Sequence, residues 1–81
     1  MLFDIVEVKP LSAYKLFLKF ENGVSGEVDI SQIVVFKGVF ARLADRNFFV
    51  TVKVNSELGT ICWENGADLS PCVLYKMIIR H

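Results

Sequence analysis

The amino-acid sequence predicts an α+β domain of two layers: an antiparallel-rich sheet, elements in the order β-β-β-α-β-β-α, and a C-terminal helix packed on the sheet. Three features predict it. Apolar and polar residues alternate on both sides of Glu21-Asn22-Gly23, and the apolar spacing changes to three- and four-residue steps between Phe36 and Leu43. Finally, Trp63-Glu64-Asn65-Gly66-Ala67-Asp68-Leu69-Ser70-Pro71 ends a strand pattern, turns and opens a helix within nine residues. At 81 residues the chain is expected to be a single domain, 1–81, near the size at which one core holds without disulfides or metals.

Val6 and Val8 alternate with Glu7 and Lys9 ahead of Pro10, which places a first strand over about residues 3–9. Tyr14, Leu16, Leu18 and Phe20 share one face of a second strand, with Lys15 and Lys19 on the other. Asn22-Gly23 suits a hairpin, because glycine takes a positive φ without strain. Val24, Gly26, Val28 and Ile30 then alternate with Ser25, Glu27 and Asp29 in a third strand. Phe36, Val39, Phe40 and Leu43 fall on one face of a short helix whose start Gly38 weakens. Asp45-Arg46-Asn47 breaks that pattern. Phe48, Val50, Val52 and Val54, opposite Phe49, Thr51 and Lys53, predict a fourth strand. A polar turn over residues 55–59 leads into a fifth, at Thr60 to Trp63, and all five are expected in one open sheet. Ser70 is a good helix N-cap and Pro71 suits the first helical position, where a missing amide has no partner to lose. Val73, Leu74, Met77 and Ile78 make the apolar stripe of the last helix, and Lys76 and Arg80 stand near its negative end.

Nine basic residues balance nine acidic ones and are interleaved with them, so the electrostatic footprint of a nucleic-acid or anionic-membrane binder is missing. The apolar run Ile33-Val34-Val35-Phe36 is far short of the roughly 20 residues of a spanning helix. Asp4 and Glu7 stand where a signal peptide would be basic and then apolar, and a cytoplasmic location is expected. In that compartment Cys62 and Cys72 would remain thiols, with packing as their expected use. Hydrophobic residues make up 53% of the chain, so some should lie exposed or in an interface.

His81 is the terminal residue and the sole histidine, which leaves Ser, Cys and Thr without a nearby base, and no catalytic residue is assigned. Glu64 and Asp68 are candidates for an acid–base pair, but their place in a tight turn makes turn-bracing and solvation the expected roles. Two cysteines ten positions apart plus one terminal imidazole fall short of a four-ligand zinc site, so neither metal nor cofactor is expected. Cys72, second in the last helix, would feel the positive end of its dipole, which favours a thiolate. A buried, inert thiol is the commoner use. Gly66 ahead of Ser70 is a weak phosphate cradle, and Trp63, Tyr75 and Phe49 lack the basic neighbours of a nucleic-acid stacking platform. What remains is a surface: Trp63, Asn65, Gly66 and Asp68, with an adjacent sheet edge, form a candidate partner-binding face anchored by Trp63. The competing role for the same block is to lock the turn and pack the last helix.

Phe20-Glu21-Asn22-Gly23, Val28-Asp29, and the tryptophan-to-proline block followed by Leu74-Tyr75 resemble the small bacterial "domain of unknown function 2442" family over nearly the whole chain. The resemblance implies an α+β fold, a bacterial cytosolic setting and no established activity. It also implies a context: some relatives look joined to a helix-turn-helix domain, and others look encoded beside another small protein in a pairing similar to a toxin–antitoxin arrangement. The family usually places Glu directly after the proline, where this chain has Cys72, so a favourable first-turn carboxylate is missing. The resulting expectation is a non-enzymatic protein-interaction module, whose partner is a small neighbouring protein, in an antitoxin-like role, or a second copy in a homodimer. The alternatives are a small-ligand protein or enzyme using Asp68 and Asn65 beside the last helix, and a DNA-associated regulator.

Overall fold

A computed structural model describes residues 3–79. Strands β1 (Ile5–Pro10), β2 (Lys15–Phe20) and β3 (Ser25–Asp29) form an antiparallel meander with β2 in the centre. Leu16, Leu18 and Phe20 of β2 and Val28 of β3 are buried on one face, while Lys15, Lys19 and Glu27 face away. β1 departs from simple alternation. Ile5 pairs with Phe20 but Glu7 already pairs with Lys19, which leaves Val6 as an extra, bulged residue. The bulge sends both Ile5 and Val8 toward the core and turns Val6 out to solvent, so Val6 and Val8 do not share a face.

The middle of the chain corrects two expectations. The segment Gly38–Ala44 is a 3-10 helix that starts at Gly38 with φ +58°. At three residues per turn Phe40 and Leu43 stack toward the core and Val39 turns outward. Next, residues 46–49 are not strand but one helical turn, α1 (Arg46–Phe49). The polar triplet that reads as a break is its cap: the Asp45 carboxylate accepts the Asn47 amide at 2.9 Å. Phe48 and Phe49 are both buried in the one core, whereas a strand would send these neighbours to opposite faces. Arg46 ties this turn to the β1–β2 loop, donating to the carbonyls of Leu11, at 3.0 Å, and Ala13.

Strands β4 (Lys53–Asn55) and β5 (Thr60–Cys62) make a separate two-stranded sheet, so the single five-stranded sheet is also corrected. The two sheets meet where the Ile5 amide donates to the Gly59 carbonyl at 3.0 Å. Gly59 has φ +70°, and the Asp4 carboxylate occupies the space a β-carbon would need. Helix α2 (Pro71–Ile79) lies over β3, with Ile78 against Gly26 and Leu74 fully buried. The Tyr75 ring stands edge-on to Phe20 at 5.0 Å. This is the α+β arrangement that the sequence predicts, C-terminal helix included. Arg80 and His81 lie outside the described residues, and among those described no helix is long and apolar enough to cross a membrane. The exposed apolar residues, Val35 at 69% the most open, are spread along the chain from Val6 to Ile79.

Candidate functional site

After β5 the chain reverses through Glu64 and Asn65 in a tight turn. The Gly66 amide donates to the Trp63 carbonyl at 3.1 Å, the Trp63 amide donates to the Ala67 carbonyl at 2.9 Å, and Gly66 takes φ +91°. This is a three-residue hairpin loop with glycine in the left-handed position. The returning segment pairs with β5 at Cys62 and Asp68, and the buried Thr60 hydroxyl donates to the Leu69 carbonyl. Ala67 and Leu69 point inward, Asp68 outward. The Ser70 hydroxyl then accepts the Val73 amide at 3.4 Å, and α2 begins.

The four residues of the candidate face separate here. Trp63 is only 2% exposed: its ring lies at 5.9 Å from that of Phe49, and its indole nitrogen donates to the Phe49 carbonyl at 2.9 Å. It is a core residue and cannot anchor a partner on the surface. Asn65, Gly66 and Asp68 do share the exposed corner. Asn65 braces the turn with both ends of its amide: Oδ1 accepts from Ala67 at 3.2 Å, and Nδ2 donates to the Val39 carbonyl at 2.9 Å, linking the corner to the 3-10 helix. Asp68 makes no side-chain hydrogen bond among the described residues, so the bracing expected of the aspartate falls to the asparagine.

The same corner is built twice. Phe20-Glu21-Asn22-Gly23-Val24 repeats the pattern of Trp63-Glu64-Asn65-Gly66-Ala67: Gly23 donates to Phe20 at 3.0 Å, Phe20 donates to Val24 at 2.8 Å, and Gly23 also has φ +91°. The Asn22 Oδ1 accepts from Val24 at 3.2 Å, and its Nδ2 reaches the Tyr75 hydroxyl at 3.0 Å. In both corners an aromatic residue enters the core, glycine makes the reversal, and asparagine ties the turn to a distant element. Replacing Asn65 with alanine should therefore lower stability by about 1 kcal/mol, because both lost bonds are largely solvent-accessible. Urea midpoints of Asn65→Ala and Asn22→Ala should fall by similar amounts; an unchanged midpoint for Asn65→Ala would show that the tie to Val39 is idle.

Among the described residues no three His, Cys, Asp or Glu side chains gather closely enough to hold a metal ion. Cys62 and Cys72 are half-buried thiols. A cleft of about 340 Å³ lies elsewhere, lined by Lys15, Glu27, Val28, Asp29, Gln32 and Met77 where the end of β3 meets α2. It adjoins an open sheet edge, a feature the sequence predicts without assigning it to a strand. A signal was present: Pro10 marks β1 as an edge strand, whereas β3 carries no such stop.

Fold and corner together define a small α+β protein in which a short hairpin adjoins β1 of a three-stranded meander and the C-terminal helix packs on β3. The chain belongs to the family described as protein of unknown function (DUF2442), whose model matches residues 5–80. No curated protein and no solved structure matches it.

Proposed function

We propose that this protein works by binding another protein, without catalysing a reaction, and that the outer edge of β3 together with the exposed Asn65, Gly66 and Asp68 are the surfaces offered. The observation that carries this reading is the difference between the two edges of the meander. The edge of β1 is occupied at Ile5 by Gly59, and the edge of β3 has no strand or loop paired to it among the described residues. Unpaired strand edges are templates for strand addition. The genomic pairing implied by the family resemblance supports a small protein encoded nearby as the partner, in an antitoxin-like role; a second copy of the chain is the other candidate. The balanced charge supports neither a DNA-associated role nor a membrane surface.

Co-expression with the neighbouring gene product, followed by size-exclusion chromatography, tests the proposal. A stable complex, weakened by Asp68→Ala if the corner takes part, is the expected result. An intact protein that elutes alone as a monomer in the presence of that neighbour would overturn it.

A further inference from the structure

The hydrogen-bond register shows which backbone groups of the meander point outward. Phe20 donates to Val24 and Ile30 donates to Tyr14, so the directly bonded pairs of β2 and β3 are 20–24, 18–26, 16–28 and 14–30. The alternate residues of β3, Ser25, Glu27 and Asp29, therefore turn their N–H and C=O groups away from β2. None of these groups has a hydrogen-bond partner among the described residues. The other edge is treated differently. Leu11 donates to Lys15, which makes Val8 and Pro10 the outward residues of β1. Pro10 has no N–H to offer, Val6 is bulged, and Ile5 is already bonded to Gly59.

α2 lies over the buried face of β3 and leaves its edge uncovered, with Met77 beside Val28 along the cleft. An edge strand flanked by a helix is a groove for an extended segment. The geometry points to a basic extended segment of a partner protein adding to β3 as a fourth strand, with lysine or arginine at alternate positions facing Glu27 and Asp29. This rests on the reading of the protein as a binding module and names the chemistry of its partner. The charge argument is local. Glu27 is exposed and has no ion-pair partner among the described residues. Asp29 makes no ion pair with Lys15, opposite it on β2, and although its Oδ1 accepts from the Ser31 amide at 3.0 Å and hydroxyl at 2.6 Å, its Oδ2 accepts nothing among the described residues. Opposite charges directly across an antiparallel pair are favourable, and like charges are not. A second copy is disfavoured for that reason, since the two-fold pairing that overlaps the whole of β3 sets Glu27 against its own copy.

The test uses two labelled synthetic heptapeptides, one alternating Lys and Val and one alternating Glu and Val, titrated into the full chain with amide chemical shifts and fluorescence anisotropy as readouts. The Lys–Val peptide should bind and shift the amides of Ser25, Glu27 and Asp29, and the Glu–Val peptide should bind at least about tenfold more weakly. Glu27→Pro removes an outward N–H and so should leave the melting temperature nearly unchanged while abolishing binding. Glu27→Lys keeps the N–H and leaves Asp29 as the one acidic group of the edge, so it should weaken the Lys–Val peptide and narrow the preference between the two. Three results would overturn the inference: no shifts at residues 25–29, a preference between the peptides that Glu27→Lys leaves unchanged, or a homodimer of the intact chain that Glu27→Pro dissociates. A co-expressed partner that still binds Glu27→Pro would overturn the β3 site and leave the binding-module reading standing. A chain that binds the Lys–Val peptide at β3 but captures no neighbour would do the reverse.

Discussion

Trp63→Ala is expected to unfold the protein in mild denaturant and to change nothing at a binding surface directly. The indole is the largest of the fully buried side chains, stacked at a tilt on Phe49 and hydrogen-bonded to its carbonyl. Truncating a buried aromatic to alanine costs about 3–5 kcal/mol, and small domains have only on the order of 5–15 kcal/mol in all. For a chain of this length each kcal/mol lowers the melting temperature by roughly 4–8 °C. Trp63→Phe keeps much of the volume and loses the indole donor, so it should fall between the alanine variant and the intact protein. Thermal melts followed by circular dichroism measure both; a near-native melting temperature for Trp63→Ala would show that the ring is not part of the core. Loss of a partner by Trp63→Ala is therefore no evidence for a contact.

Gly26→Val should loosen the packing of α2 on the sheet and lower stability by about 1–2 kcal/mol. A β-carbon at position 26 would lie 2.8 Å from Ile78 Cγ2 and 3.6 Å from Ile78 Cβ. The Cβ is in ordinary contact at that distance, but Cγ2 must turn away in a helix where β-branched side chains have one strongly preferred χ1 rotamer, and valine adds two further methyl groups at the same place. Overpacking of this kind costs about 1–3 kcal/mol, against a gain in strand propensity of at most about 1 kcal/mol, so the clash wins. Ile78→Ala alone should also destabilise, by removing an apolar contact. Combined with Gly26→Val it should recover part of the loss, because the smaller side chain vacates the space the valine needs. Urea denaturation of the two single variants and the double variant forms the cycle. Strictly additive losses would mean that the glycine is not the seat of the helix.

Much of this fold is legible from residues close together in the chain. The alternation across Asn22-Gly23, and the run from Trp63 to Pro71, carry their own turn chemistry, and the structure builds both where the sequence places them. What escapes is decided by contacts distant in sequence. The valines at 50, 52 and 54 alternate as a strand should, but Asp45 caps a helical turn ahead of them and the buried Phe48-Phe49 pair needs that turn to reach one core. Similarly, the bulge at Val6 exists because Ile5 and Val8 both have places in the interior, which no local pattern in β1 announces. At the candidate site the exposure of Asn65, Gly66 and Asp68 follows from the turn, whereas the inward rotation of Trp63 depends on Phe49, fourteen residues upstream. Tryptophan suits both cores and interfaces, and composition alone does not choose between them.

The unequal edges of the meander also limit how far these molecules can stack. A sheet open on both sides can recruit one strand after another and grow into a fibre, since every arrival leaves a fresh template behind it. Here β1 is stopped by a proline, a bulge and the Gly59 carbonyl, so copies meeting at β3 would end as a pair. Growth through this sheet terminates at its first step.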